Sequence, residues 1–210
     1  KTIEIYGEKN NITVVNNPVK EEHPDNQRFL KDVESWLGVP IEYALNPKFP
    51  DSSSVTVWDK YNYMSGISGA PCTLHLKKKA RQAWEQENKS DYLVLGFTAD
   101  EKKRADRFRI TNTIISRANI KRPEIYNLGY PNANCIGCVK ATSPTYWNLV
   151  RKTFPDIYEE RANQSRVIGA KLVRHKGERI YLDELPENAQ GRKLKSYDFE
   201  CGLFCEELES

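Results

Sequence analysis

Short apolar segments alternate with segments of helical periodicity along the first 96 residues, and this alternation constrains the fold most strongly. The segments with the length and β-branched or apolar composition of strands are 11–16, 39–43 and 92–96. Apolar residues fall at helical spacing over 29–37, where Gly38 follows as a helix-ending residue, and a basic helix is predicted over 74–87. Strands that alternate with helices predict an α/β fold with a parallel sheet.

Polar residues follow two of these predicted strands, where a parallel α/β sheet binds its ligands. The segment after 92–96 is densely charged, and its carboxylates and guanidinium groups are suited to contacts with ribose and phosphate. An equally simple interpretation is the solvated start of a helix. The candidate nucleotide-binding residues are Asn16, Asn17, Gly96, Asp100, Glu101 and Arg104.

Charge and hydropathy exclude some functional classes. The 32 Lys and Arg against 29 Asp and Glu give a net charge of +3, which is low for a dedicated nucleic-acid-binding protein. A local basic cluster at 77–79 with Arg81 is suited to hold a phosphate or sulfate, or to form a solvated face. No apolar run approaches the length of about 18 residues that suggests a transmembrane helix. Because the chain opens with Lys1 rather than Met, we expect a further segment upstream.

Five cysteines are the strongest chemical signal. Cys135 and Cys138 form a C-x-x-C motif, a spacing that lets two thiolates reach one metal ion, one cluster or one disulfide. Cys72, Cys201 and Cys205 accompany the motif. An odd number of cysteines in a chain of this size favours a reducing compartment, such as the cytoplasm, over a secreted disulfide framework. The alternative is that the cysteines are ordinary small core residues.

Taken in order, these segments resemble the phosphoadenosine phosphosulfate (PAPS) reductase family of the adenine nucleotide alpha-hydrolase-like, or PP-loop ATPase, group. The resemblance extends from about Asn11 to Cys205. Residues 16–18, with the acidic turn at 22–25, resemble the family's strand-end adenine contact. Residues 96–101, with Arg104, resemble its Gly-x-Arg-Ala-Asp-Glu segment.

The cysteine segments resemble the same family. Residues 129–138 are similar to the Gly-Tyr-x-Ser-Ile-Gly-Cys-x-x-Cys of its cluster-containing members, and Cys72 stands where those members carry a cysteine pair. Residues 200–203 resemble the Glu-Cys-Gly-Leu/Ile-His tail that bears the nucleophilic cysteine of sulfonucleotide reductases. Each motif alone is a modest signal, and their common order is what makes the resemblance specific.

The resemblance implies a three-layer parallel-sheet sandwich with a Cys-containing C-terminal extension. Residues 1–130 would form the α/β nucleotide-binding core, incomplete at its N-terminus, and residues 131–210 a Cys-rich region packed on it. The implied ligand is an adenine nucleotide, either ATP or an adenylyl sulfate (PAPS or APS). The implied activity is that of a sulfonucleotide reductase, an oxidoreductase, or that of an ATP-dependent sulfurtransferase.

Two assignments of the cysteines follow from the resemblance. In the first, a [4Fe–4S] cluster or Zn is held by Cys72, Cys135, Cys138 and Cys205. Cys201 is then the catalytic nucleophile, which attacks the sulfur of an adenylyl sulfate and leaves an S-sulfocysteine for a thioredoxin-like reductant. In the second, both tail cysteines complete the metal site, and the protein activates a substrate with ATP and transfers sulfur. Nucleic acid is a candidate substrate.

The sequence also departs from the family pattern. The hallmark Ser-Gly-Gly-x-x-Ser phosphate loop, which should precede 11–16, is not in the sequence, so it lies upstream of Lys1 or the chain does not bind phosphates in the family manner. Thr98 stands where the family often has Arg, and Cys72 stands alone where the family has a pair. A further expectation is therefore a non-catalytic, metal-stabilised member that binds nucleotide or nucleic acid.

Overall fold

The chain is mixed α/β and divides into two units, Lys1–Pro123 and Glu124–Ser210. The computed structural model describes Ile3, Gly7 and residues 11–66, 69–92, 94 and 120–194. The predicted boundary after residue 130 stays a prediction. Among the described residues, no helix combines the length and the hydropathy that crossing a membrane requires.

The first unit begins with a strand–helix–strand arrangement. Strand β1 (Val14–Asn16) pairs in parallel with β2 (Ile41–Tyr43), so that Asn16 lies opposite Tyr43. Helix α1 (Asp25–Leu37) connects them and ends at Gly38, whose φ of 65° suits glycine because it has no Cβ. The predicted alternation of strand and helix and the predicted helix end are confirmed over this segment.

Three helical segments follow in the first unit. Helix α2 (Ser54–Tyr61) is followed by a π-helix (Thr73–Lys79), which continues directly into α3 (Ala80–Glu87). The predicted basic helix is therefore present, but its first half has the wider π-helical turn. The residues that form the buried centre here are Phe49, Val57, Trp58, Met64, Leu76 and Ala80.

The second unit is built on two consecutive helices and a hairpin. Helix α4 (Pro144–Thr153) and α5 (Pro155–Ile168) are separated at Phe154, because Pro155 cannot donate the backbone hydrogen bond that would continue α4. Strands β3 (Val173–His175) and β4 (Glu178–Ile180) pair in an antiparallel hairpin. Single turns of 3-10 helix lie at Glu124–Tyr126 and Leu182–Glu184. The fully buried side chains here include Ile125, Val139, Trp147, Val150, Val173 and Leu182.

The predicted sheet is only partly present. Within the described residues the parallel sheet has two strands, so an α/β architecture is established but a three-layer sandwich is not confirmed. The predicted buried strand at 92–96 lies mostly outside the described residues, and its described members Tyr92 and Val94 are irregular and 89% and 57% exposed. An apolar run in the sequence shows only that the segment is hydrophobic. A strand is buried only if neighbouring elements also cover both of its faces.

Candidate functional site

A cleft of about 600 Å³ in the second unit brings several functional groups together. Its lining includes both thiols of the C-x-x-C motif, Cys135 and Cys138, together with two tyrosines and three cationic side chains. Both cysteines are half-buried, and neither forms a disulfide. The motif therefore lies at the wall of an accessible space, as thiol or metal chemistry requires.

The C-x-x-C loop is anchored by the apolar residues next to its cysteines. Ile136 and Val139 are 4% and 1% exposed. Gly137 has a φ of 66°, and a Cβ at this position would lie 3.3 Å from Cγ2 of Ile157 on α5. Because Ile136 and Val139 fix the loop to the core, Cys135 and Cys138 remain at the cleft wall.

Tyr146 on α4 forms a hydrogen bond with the C-x-x-C loop. Its hydroxyl accepts the backbone N–H of Cys138 at 2.9 Å. Burial raises the pKa of Tyr146 well above its ordinary value, and the nearby Cys138 and Cys135 raise it further. The hydroxyl therefore stays protonated at neutral pH, and it both accepts from the loop and retains a proton to donate.

A second tyrosine supports the first. Tyr130 packs edge-on against Tyr146, with ring centroids 5.8 Å apart. Its hydroxyl shares a hydrogen bond of 2.7 Å with Oγ1 of Thr153 at the end of α4. Burial raises the pKa of Tyr130 to about 12. Both cleft tyrosines are thus neutral hydrogen-bonding groups under physiological conditions.

The charged part of the lining is cationic. Lys140, Arg174 and Arg192 border the cleft. The backbone N–H of Arg174 donates to the carbonyl of Thr142 at 2.9 Å, and the hydroxyl of Ser143 donates to the carbonyl of Arg192 at 3.0 Å. The segments that carry both arginines are therefore tied to the loop before α4. A cleft with this lining attracts an anionic ligand.

The predicted metal ligands are brought together only in part. Cys135 and Cys138 line one cleft, Cys72 lies in the first unit just before the π-helix, and Cys205 lies outside the described residues. Within the part of the chain that is described, no three His, Cys, Asp or Glu side chains form a group that could hold a metal. Thiolates suit Zn or an iron–sulfur cluster, so the C-x-x-C pair fits as two of the ligands that either would need.

Two of the predicted nucleotide-binding residues lie at the end of β1 in the first unit: Asn16 is its last residue, and Asn17 follows it. Nδ2 of Asn17 donates to the carbonyl of Ala44 at 3.1 Å and so ties the ends of β1 and β2 together. Nδ2 of Asn16 is buried and has no hydrogen-bond acceptor within the described structure. Asn16 therefore keeps a donor for a ligand, whereas the donor of Asn17 is used by the fold.

The other predicted residues lie outside the described part of the chain, so their assignments stay predictions. They are Gly96, Asp100, Glu101, Arg104 and Cys201. Sequence reasoning missed the cleft residues Tyr146, Lys140, Arg174 and Arg192. Tyr146 gave no distinct signal because a tyrosine among apolar residues is commonly a core residue. The two arginines are separated from the motif by more than 30 residues, and only the fold brings them to it.

Comparison with protein-family models, with curated proteins and with solved structures gives no match to this chain. Functional interpretation therefore depends on the residues and geometry described above.

Proposed function

We propose that this protein is a PAPS reductase-like enzyme of sulfur metabolism, which acts on an adenylyl sulfate or activates a substrate with ATP for sulfur transfer. The observation that carries the proposal is the cleft in which Cys135 and Cys138 meet three cationic side chains. The proposal needs a thiol pair suited to a metal or cluster, and cationic side chains suited to a sulfated or phosphorylated substrate. The order of the sequence motifs supports the same function. The proposal includes a three-layer sheet sandwich and a cytoplasmic location.

The described residues contribute binding and orientation. Lys140, Arg174 and Arg192 supply the positive charge that draws in an anionic substrate. The buried Nδ2 of Asn16 is suited to donate to a ring nitrogen of adenine. A metal or cluster bound by Cys135 and Cys138 would add structural support and positive charge near the cleft.

The reductase form of the proposal assigns the chemical step to Cys201. Its thiolate attacks the sulfur of the adenylyl sulfate, the bond from that sulfur to the bridging oxygen breaks, and the nucleotide phosphate leaves. A dithiol reductant of the thioredoxin class then attacks Sγ of the S-sulfocysteine and releases sulfite. The second thiol of the reductant resolves the mixed disulfide and frees Cys201.

The first test is the iron, zinc and acid-labile sulfide content of protein purified without oxygen. About four irons and four sulfides per chain are expected if the cysteines hold a cluster, and one zinc without sulfide if the site is structural. Cys135→Ser should lose most of the metal and melt at a lower temperature. Protein without either metal, or a Cys135→Ser variant that melts like the parent, would remove the ligand assignment.

The second test is sulfite release from adenylyl sulfate in the presence of a thioredoxin-like reductant. Cys201→Ser is expected to abolish release and to retain the metal content of the parent. If this variant loses its metal instead, Cys201 is a ligand, and ATP-dependent sulfur transfer becomes the working function. If Cys201→Ser releases sulfite at the parental rate, the nucleophile assignment is wrong.

A further inference from the structure

A surface of the first unit combines an exposed aromatic ring with converging lysines, and the proposed sulfur chemistry does not use it. We call it the lysine patch: Tyr61, His75, Lys48, Lys60 and Lys79. The members come from three segments, namely the loop before α2, the end of α2 and the π-helix. All of its residues lie within the first unit.

The aromatic part of the lysine patch is a layered stack. The imidazole of His75 is 5% exposed and lies against the ring of Tyr61, with centroids 4.6 Å apart and planes at 22°. Phe49, which is 1% exposed, packs against the same imidazole, with ring centroids 5.2 Å apart and planes at 66°. Tyr61 is 43% exposed. One face of the tyrosine ring is therefore supported by the protein, and part of the ring remains open to solvent.

The cationic part consists of three lysines, and Nζ of Lys60 lies 5.0 Å from the ring centroid of Phe49. Lys48, Lys60 and Lys79 are exposed, and each is close enough to His75 to lower the pKa of the imidazole, a shift whose largest cause is burial. No described carboxylate forms an ion pair with any of the three. The neighbouring Lys77, in contrast, lies 3.5 Å from a carboxylate oxygen of Glu22. The three ammonium groups thus form a concentration of positive charge that the described part of the fold does not neutralise.

The scaffold under the lysine patch is held by Asn46. Its Nδ2 donates to the carbonyl of His75 at 2.9 Å, and its Oδ1 accepts the backbone N–H of Lys48 at 3.0 Å. The loop and the π-helix are therefore joined through one buried side chain. π-Helical turns are uncommon and occur frequently at functional sites.

We propose that the lysine patch binds single-stranded nucleic acid, with a base stacked on Tyr61 and backbone phosphates near Lys48, Lys60 and Lys79. Sequence-tolerant binding of single strands combines aromatic platforms with a positively charged surface that follows the backbone, and the lysine patch contains both. An acidic peptide would use the charges but would leave the exposed ring without a planar partner. The inference goes beyond the proposed function and does not depend on it.

The test measures binding of a fluorescently labelled oligothymidylate to the full chain by anisotropy, over a series of salt concentrations. Replacement of the three lysines by glutamine is expected to reduce the slope of log K against log salt by about 2, since each neutralised phosphate of a single strand contributes about 0.7. The matched control replaces Lys31, Lys89 and Lys152, which are exposed lysines elsewhere in the chain, and should retain the parental slope.

The stacking contact is tested separately. Tyr61→Leu keeps an apolar cover on His75 but loses the aromatic platform, and it should weaken binding by about tenfold. Tyr92→Leu is the matched control because Tyr92 is also exposed, and it should bind like the parent. Circular dichroism of each variant verifies that the fold is kept.

Several outcomes would overturn the inference. They are a parental salt slope in the triple-lysine variant, an equal change in its control, or parental affinity in Tyr61→Leu. Polyglutamate that competes as well as the oligonucleotide would identify an acidic protein partner instead. Displacement of the oligonucleotide by low concentrations of AMP would identify a mononucleotide site.

Discussion

The helices of the two units differ in how they are held. In the first unit, α1 has no buried residue, and its Trp36 is 46% exposed. In the second unit, α4 buries Trp147 and Val150 completely, and α5 buries Tyr158 beside them. Burial of large apolar side chains is the main favourable contribution to folding. Packing therefore holds α4 and α5 more tightly than α1.

Polar contacts also join the segments of the first unit. The carboxylate of Glu21 accepts hydrogen bonds from both side-chain hydroxyls of Ser53 and Ser54, at 2.6 and 2.7 Å, and from the backbone N–H of Ser54 at 2.8 Å. A negative charge at this position also complements the dipole of α2, whose first residue is Ser54. The first unit therefore combines the apolar centre around Val57 and Trp58 with long-range hydrogen bonds to one charged group.

The largest expected effect tests this difference with two tryptophans. Trp147→Ala should lower the free energy of unfolding of the second unit by about 3–5 kcal/mol, because it leaves a cavity and removes the hydrogen bond from Nε1 to the carbonyl of Ala141. Trp36→Ala, in the exposed helix, should cost about 1 kcal/mol or less. Chemical denaturation followed by circular dichroism measures both. Equal losses for the two variants would remove the distinction between α1 and α4.

The next effect concerns the polar contacts of the first unit. Glu21→Ala leaves three donors of Ser53 and Ser54 without their acceptor and should cost about 2 kcal/mol, as expected for hydrogen bonds to a charged group. Glu87→Ala is the matched control, since Glu87 is exposed at the end of α3. Urea denaturation of both variants provides the measurement. A loss no larger than that of the control would mean that the Glu21 hydrogen bonds contribute little to the stability of the first unit.

The sequence predicts local elements where a periodic pattern ends in a distinctive residue. Residues 29–37 followed by Gly38 indicated α1, and its end was predicted correctly because glycine adopts the φ of 65° at low cost. The sequence could not predict that α1 would have no buried residue. Its apolar positions fix which face is apolar, but the cover on that face depends on other parts of the chain.

In the candidate site, too, the sequence predicts local features but not the tertiary contacts. Residue spacing alone predicted that Cys135 and Cys138 act together, because only two residues separate them. The contribution of Tyr146, Arg174 and Arg192 depends on the packing of α4, β3 and the segment after residue 190, which no local pattern encodes. Spacing therefore identifies pairs that are near in sequence, whereas tertiary structure supplies the charges around them.

A smaller effect is expected from the tyrosine under the C-x-x-C loop. Tyr146→Phe removes the acceptor of the Cys138 N–H, and should cost about 1 kcal/mol and increase hydrogen exchange at that amide. Tyr130→Phe is the control, because it removes the hydrogen bond to Thr153 in the same core but leaves the loop contact intact. If both variants change exchange at Cys138 equally, Tyr146 has no specific role in positioning the loop.

The smallest effect is a pH dependence confined to the first unit. The folded state holds the pKa of His75 below its usual value near 6.5, first through burial and then through Lys79, Lys48 and Lys60. Between the folded and unfolded pKa values the unfolded chain binds more protons, so stability falls as the pH is lowered below about 6.5 and levels off below the folded pKa. The second unit should not share this dependence, because His75 lies in the first unit.

Hydrogen exchange of the amides at 73–79, compared between pH 7 and pH 5 after correction for intrinsic exchange rates, measures the loss of local stability. His75→Phe keeps an aromatic ring against Tyr61 and should abolish the pH dependence. His175→Gln, on β3 of the second unit, should leave it unchanged. Replacement of the three lysines by glutamine should reduce the dependence without abolishing it, since burial is the larger cause. If the pH dependence survives in His75→Phe, it arises from a group other than His75. The lysines of the lysine patch would then have no measurable electrostatic effect on His75.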